Sequence, residues 1–168
     1  LHDNKFGIDI ETALRLYRKA AAMDGVVPAG IAVHIGSQLL DLSPFAHAYR
    51  SIAQLAEILR GEGHAIDTID LGGGLGIPYA ENEASPDLHA YAKIVLDTIV
   101  PLNAHIVVEP GRSIVGNAGI LLTTVMHRKK GAEKEFVIVD AGMNDLMRPA
   151  LYDAAHQIIP CAEPETES

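Results

Sequence analysis

Three times in the first two-thirds of this chain, a short apolar run stops in a small polar or glycine-rich motif. A helical pattern separates each run from the next. Gly30 to Ile35 reads as a buried strand ending at His34, Thr68 to Leu71 as a second strand halted by glycines, and His105 to Glu109 as a third. Before the first, Ile10, Ala13, Leu14 and Tyr17 recur at helical spacing, and Gly25 follows as a stop. Ser43-Pro44 opens the next helix, with serine as N-cap and proline at the first helical position. Its apolar face is Phe45, Ala48, Tyr49, Ile52, Leu55, Ala56 and Leu59, and Gly61 and Gly63 close it. Ser85-Pro86 repeats that start. Leu88, Tyr91, Ala92, Val95 and Ile99 form the third apolar face, and Pro101 follows its end.

Strands alternating with helices imply parallel strands joined by crossovers. The three motifs then share one edge, beyond the carboxyl ends of the strands. In a (β/α)8 barrel that edge is the catalytic face, and in a doubly wound sheet it is the ligand crevice. Three strands leave both architectures open. After about Val115 the rhythm changes. Ile120 to Met126 and Phe136 to Asp140 read as strands with only turn-like residues, His127 to Glu135, between them. A second, β-rich domain is expected over 117–168, after an α/β domain over 1–116.

Composition narrows the function. A chain of 168 residues with 48% apolar content can bury a substantial core. No apolar run approaches membrane-spanning length, and no charged-then-apolar leader opens the sequence. The net charge of −9 disfavours nucleic acid and anionic membranes as partners. Cys161 stands alone, which excludes an internal disulfide, and the eight histidines show no metal-ligand spacing. These features fit a cytoplasmic acidic enzyme or binding protein without a metal.

The motifs carry the chemistry. His34-Ile35-Gly36-Ser37 offers a flat imidazole that can stack on a ring, with a hydroxyl nearby. The alternative is a satisfied core histidine. Leu71-Gly72-Gly73-Gly74-Leu75-Gly76 offers backbone amides that approach an anion closely, or else a tight turn with no ligand. A dinucleotide fingerprint fails here, because Ile77 or Tyr79 falls where its last glycine belongs. Glu109-Pro110-Gly111-Arg112 sets a carboxylate, a rigid turn and a guanidinium in succession. It reads either as a salt bridge around a turn or as separate grips on a ring nitrogen and an anion. Later, Arg148 and Tyr152 stand four apart, a pairing suited to a carboxylate. Together the three early motifs answer the needs of a phosphorylated, nitrogen-containing ring.

In these segments the sequence resembles the diaminopimelate decarboxylases, of the alanine-racemase-like (fold type III) pyridoxal-phosphate decarboxylases. The resemblance runs from Asn4-Lys5-Phe6-Gly7 through His34 to Gln38, Ile69 to Gly76 and Glu109 to Arg112. It continues through Met143 to Leu146 and Arg148 to Tyr152. It implies the C-terminal part of a pyridoxal-phosphate-binding (β/α)8 barrel, followed by the start of a β-sandwich-like domain. It further implies homodimers with active sites completed across the interface. By resemblance, His34 stacks on the pyridine, and Gly73, Gly74, Pro110, Gly111 and Arg112 surround the phosphate with help from Ser37. Glu109 pairs with the ring nitrogen. Arg112, Arg148 and Tyr152 hold carboxylates of the substrate, meso-2,6-diaminopimelate, whose decarboxylation gives L-lysine. The protonated ring is the electron sink for that step. The resemblance puts the Schiff-base lysine before Leu1 and the catalytic cysteine after Ser168. Neither Lys5 nor Cys161 matches them, so the chain is expected to be an internal fragment, inactive alone.

Three rivals share some of these features. An ornithine, arginine or lysine decarboxylase of the same fold would need an acidic residue for a distal cation, where this chain offers Arg148 and Tyr152. A non-catalytic pyridoxal-phosphate binder would not call for the later β domain. A purely structural α/β domain would require every motif to be coincidental.

Overall fold

A computed structural model describes residues 7–80 and 82–162. Asn4, Lys5 and Phe6 of the first resembling segment, and the acidic tail from Glu163 to Ser168, lie outside the described residues. These fall in two compact units, one within 1–77 and 84–117, the other within 78–83 and 118–168.

The first unit is built in the order α1 (Ile10–Ala21), β1 (Gly30–Ala32), α2 (Ser43–Gly61), β2 (Thr68–Asp70), α3 (Leu88–Thr98), β3 (His105–Val107) and α4 (Arg112–Val115). A 3-10 turn, Val100–Leu102, precedes β3. The strands are parallel and lie in the order β1-β2-β3, with Ile31 opposite Ile69 and Ile69 opposite Ile106. Strand order follows chain order, as in a sheet that winds in one direction.

The core lies between α2 and the sheet. Phe45, Tyr49, Ile52, Leu55, Ala56 and Leu59 recur every three or four residues, so they fall on one helix face, and all are buried. They meet Ile31, Ile69 and Leu71 from the sheet side, joined by Ile66 and Ile99. Each fully buried large aliphatic here contributes about 1.5–3 kcal/mol. Phe45, Tyr49 and Tyr91 pack as a triangle with ring centroids 5.4, 6.0 and 6.2 Å apart. Burial pushes the Tyr49 phenol far above its usual range, so the group stays protonated. It donates to the carbonyl of Leu71 at 3.4 Å and shares a 2.8 Å bond with the Tyr91 hydroxyl. Arg60, near the end of α2, donates to the carbonyls of Ile66 and Leu102. One cation thereby ties two connections together.

Several sequence expectations shift at their edges. All three strands are shorter than their apolar runs. β1 ends at Ala32, so His34 lies two residues beyond it. The ladder bonds Val33 N to Asp70 O and Leu71 N to Val107 O are the last before the chain turns away, with Gly72 at φ +65°. Neither predicted serine caps its helix. Asp41 accepts from the amide of Ser43 at 2.9 Å and also from its hydroxyl. Asp87 caps α3 by accepting from His89 and Ala90. A carboxylate within three residues of the proline outcompetes the hydroxyl as acceptor. On α3, Leu88 and Ala92 are exposed, and Ile94 takes the expected inward place beside Tyr91 and Val95.

The second unit contains an antiparallel hairpin of β4 (Val125–Lys130) and β5 (Glu135–Val139), then a short helix α5 (Arg148–Tyr152). The first strand therefore lies later than its apolar run, because His127 to Lys130, read as a turn, pair with Glu135 to Ile138. The hairpin turns within Gly131 to Lys134, and Arg128 grips Glu135 with two 2.9 Å bonds. Cross-strand charge pairing replaces the missing apolar alternation. No helix among the described residues is long and apolar enough to cross a membrane.

Candidate anion and cofactor site

The parallel ladder delivers three chain segments to one end of the sheet, and the glycine run locks them there. A Cβ on Gly72 would stand 2.1 Å from the carbonyl oxygen of Val33. On Gly73 it would stand 2.1 Å from that of Glu109, and on Gly74 2.4 Å from that of Gly36. Any side chain at these positions would overlap backbone of the first or third motif, so the glycines allow three main chains to touch. Hydrogen bonds sew the same contacts. Glu109 N donates to Gly72 O at 2.8 Å, Leu39 N to Gly74 O at 2.9 Å, and Gly76 N to Leu39 O at 2.9 Å. Asp70 accepts from the amide of Gly72 at 2.8 Å, which fixes the entry to the run.

Each predicted site residue of this unit sits on that frame. His34 is exposed, so it is not a core histidine, and its ring is available for stacking. Glu109 is exposed and makes no ion pair among the described residues. A local salt bridge between Glu109 and Arg112, one of the two readings of this motif, is absent. Arg112 instead reaches back 75 residues, its Nη2 donating to Ser37 Oγ at 2.6 Å, and its Nη1 donates to Gln38 Oε1 at 3.2 Å. A contact of that sequence separation joins the first and third motifs by side chains, as the glycines join them by backbone. Gly111 takes φ +56° immediately before α4, which turns the chain so that Arg112 points to Ser37 and Gln38. Ser113 secures that turn by donating to Pro110 O at 2.8 Å.

The arrangement fits a phosphorylated ring. The amides of Gly73, Gly74 and Gly111 donate to no other described residue, and Gly73 is buried. Buried N–H groups without acceptors favour an anionic oxygen. A cationic guanidinium stands on the same frame. The glycine run also borders a mostly apolar cavity of about 240 Å³ whose walls include Gly72, Gly73, Tyr91, Val108, Pro110 and Ile114. Among the described residues no cluster of histidine, cysteine or acidic side chains could hold a metal.

In the second unit, Arg148 and Tyr152 occupy the single turn of α5. The guanidinium carbon lies 5.4 Å from the phenol ring centroid, and Pro149 occupies the helix start. The Arg148 Nε is buried and has no hydrogen-bond partner among the described residues. A buried cationic donor without an acceptor is costly unless a ligand oxygen meets it.

Sequence reading overlooked Gln38, whose amide meets both Arg112 and Ile77. Its signal was position alone, as the residue after Ser37 in a motif otherwise read for its histidine and hydroxyl.

Comparison with known proteins agrees with this geometry. Residues 1–116 match the family model described as pyridoxal-dependent decarboxylase, pyridoxal binding domain. A diaminopimelate decarboxylase of Neisseria meningitidis is 53% identical over 158 residues, which are 94% of this chain and 39% of that relative. The crystal structure of diaminopimelate decarboxylase from Helicobacter pylori complexed with L-lysine superposes with a TM-score of 0.92 at 43% identity. It covers 98% of this chain and 41% of that one. A lysine decarboxylase from Selenomonas ruminantium is more distant, at 29% identity and a TM-score of 0.79 over 90% of this chain and 40% of that one. The chain thus spans about two-fifths of the relatives it matches. With its glycine frame, its long-range arginine and the match over residues 1–116, the chain belongs to the pyridoxal-dependent decarboxylases, through their pyridoxal-binding domain.

Proposed function

We propose that this chain is part of an enzyme that decarboxylates meso-2,6-diaminopimelate to L-lysine and CO2 with pyridoxal phosphate. The observation that carries the reading is the frame itself, three strand-end motifs pinned through Gly72, Gly73 and Gly74, with unpartnered amides and the Arg112 guanidinium mounted on it. When bound, the cofactor supplies an electron sink for the electron pair left on the substrate carbon when CO2 departs. The chain's residues supply position and charge. His34 covers the ring face, and Glu109 holds the ring nitrogen protonated. Gly73, Gly74, Pro110 and Gly111 line the phosphate, with Ser37 and Arg112 beside it. Arg112 also orients a substrate carboxylate.

The choice of diaminopimelate over lysine or ornithine rests on α5. A distal ammonium would call for an acidic group, whereas Arg148, with its buried and unmet Nε beside Tyr152, calls for a distal carboxylate. The greater identity to the Neisseria relative than to the Selenomonas lysine decarboxylase points the same way. In this reading residues 1–116 are part of a (β/α)8 barrel and 117–168 begin a β-sandwich-like domain. The enzyme is a cytoplasmic homodimer whose active sites are completed at the interface.

The test is CO2 release by the full-length, cofactor-loaded protein from meso-diaminopimelate, L-ornithine and L-lysine in parallel. Selective release from diaminopimelate is expected. Arg148→Ala should raise the KM for diaminopimelate by about tenfold or more, the loss of one charge-assisted contact. Release from ornithine or lysine instead would overturn the substrate assignment while keeping the cofactor site.

A further inference from the structure

We infer that Gln38 is a positioning residue that sets the plane of the Arg112 guanidinium without adding negative charge beside it. The inference rests on the reading of Arg112 as an anion-binding group.

The geometry begins with the backbone. Gln38 has φ +60°, in the left-handed region that a residue with a side chain rarely enters. Such a conformation is strained and persists where the surroundings over-determine it. Here they do, because the next residue, Leu39, exchanges two backbone hydrogen bonds with the glycine run, to Gly74 and from Gly76. The twist aims the side chain at Ile77 and Arg112. Its Nε2 donates to Ile77 O at 2.5 Å, while its Oε1 accepts from Ile77 N at 3.4 Å and from Arg112 Nη1 at 3.2 Å. The amide therefore has one possible orientation. Rotated by half a turn, it would set donors against the two donors and an acceptor against the carbonyl.

Two of the partners of Arg112 are fixed acceptors on different terminal nitrogens, Ser37 Oγ on Nη2 and Gln38 Oε1 on Nη1. Two bonds to different nitrogens define the guanidinium plane, which determines how a planar carboxylate can be met bidentately. Both acceptors are neutral. A glutamate at position 38 would have nearly the same shape and could also accept from Arg112. It would, however, place a negative charge against the cation and lose the donor to Ile77 O. An amide, alone among side chains of this length, accepts from the arginine and donates to the carbonyl without charge.

The experiment compares Gln38→Met and Gln38→Glu with the wild type in the full-length, cofactor-loaded protein. Gln38→Met keeps the length but neither hydrogen bond. The KM for diaminopimelate should rise about tenfold in Gln38→Met and further in Gln38→Glu, with the change falling on KM rather than kcat. Because Arg112 stands beside the phosphate in the proposed site, the dissociation constant of pyridoxal phosphate should rise in Gln38→Met as well. A crystal structure of Gln38→Met should show the guanidinium rotated out of its wild-type plane. A merely space-filling role reverses the order, with the isosteric Gln38→Glu closer to wild type; that result would overturn the inference. An unmoved guanidinium in Gln38→Met would overturn it as well. If the wild-type protein releases no CO2 from any substrate, the decarboxylase reading fails by itself. The crystal structure then decides the role of Gln38 on its own.

Discussion

A methyl group at position 73 would lie 2.1 Å from the carbonyl oxygen of Glu109, whereas one at position 61 would meet nothing within 4 Å. The two glycines therefore make a matched pair of tests. Gly73→Ala must push the third motif away from the second, and the full-length protein should bind pyridoxal phosphate at least about tenfold more weakly, read by absorbance titration. Gly61→Ala, at the end of α2, should leave cofactor affinity unchanged and stabilise the fold by about 0.5–1 kcal/mol in a denaturant titration. Equal effects of the two substitutions would show that the glycine run is only a turn. The run could be seen in the sequence, but its contacts could not, because a glycine's neighbours are set by strands that pair far along the chain. The same limit hid Gln38. His34, Ser37 and Arg112 are chemically conspicuous, but the Arg112 to Ser37 bond spans 75 residues and needed the sheet to bring its ends together.

At the scale of elements, α2 organises the first unit, and its start depends on Asp41. The Ser43 hydroxyl and amide hold the Asp41 carboxyl below its ordinary value of 3.8. A depressed carboxylate contributes stability above its unfolded value and loses that contribution as the pH falls through its folded value. Asp41 should therefore stabilise α2 at neutral pH and cease to do so somewhat below pH 4. Asp41→Ala should lower the melting temperature at pH 7, and the gap from wild type should shrink in acid. Thermal melts followed by circular dichroism at both pH values check this, and a gap that is constant with pH would refute it. Asp9, bonded to Thr12, and Glu62, gripped by Arg18, are depressed too and steepen the same acid limb. The positions of α1, α2 and α3 were legible because their apolar faces repeat at helical spacing. The first residues of α2 and α3 were not, since serine and aspartate both stood within reach and the carboxylate is the stronger acceptor. β4 misled for a different reason. His127 to Lys130 are all polar, and a hairpin exposed along its length imposes no apolar alternation to read.

Across the whole molecule, burial is concentrated in one place. Among the described residues, all the large, fully buried side chains belong to the first unit, whereas β4 is exposed throughout and β5 along most of its length. Amide exchange in the full-length protein should accordingly be slowest in α2 and β2. Leu59→Ala, which empties a fully buried position, should cost about 2–5 kcal/mol and speed exchange across the first unit. Exchange in β4 and β5 should not change, because no residue of the hairpin belongs to that core. Uniform acceleration along the chain would instead show one cooperative fold. The alternation of strand and helix was enough to predict an α/β unit with its motifs at one sheet edge. The order β1-β2-β3 is encoded by no local pattern. One consequence follows from the way the three loops are fastened. Because main chain grips main chain through Gly72, Gly73 and Gly74, the joint contributes no side chain of its own to the ligand. His34, Ser37, Glu109 and Arg112 are fittings on a common chassis, so any one of them can be exchanged while the backbone joint that carries the others stays as it is.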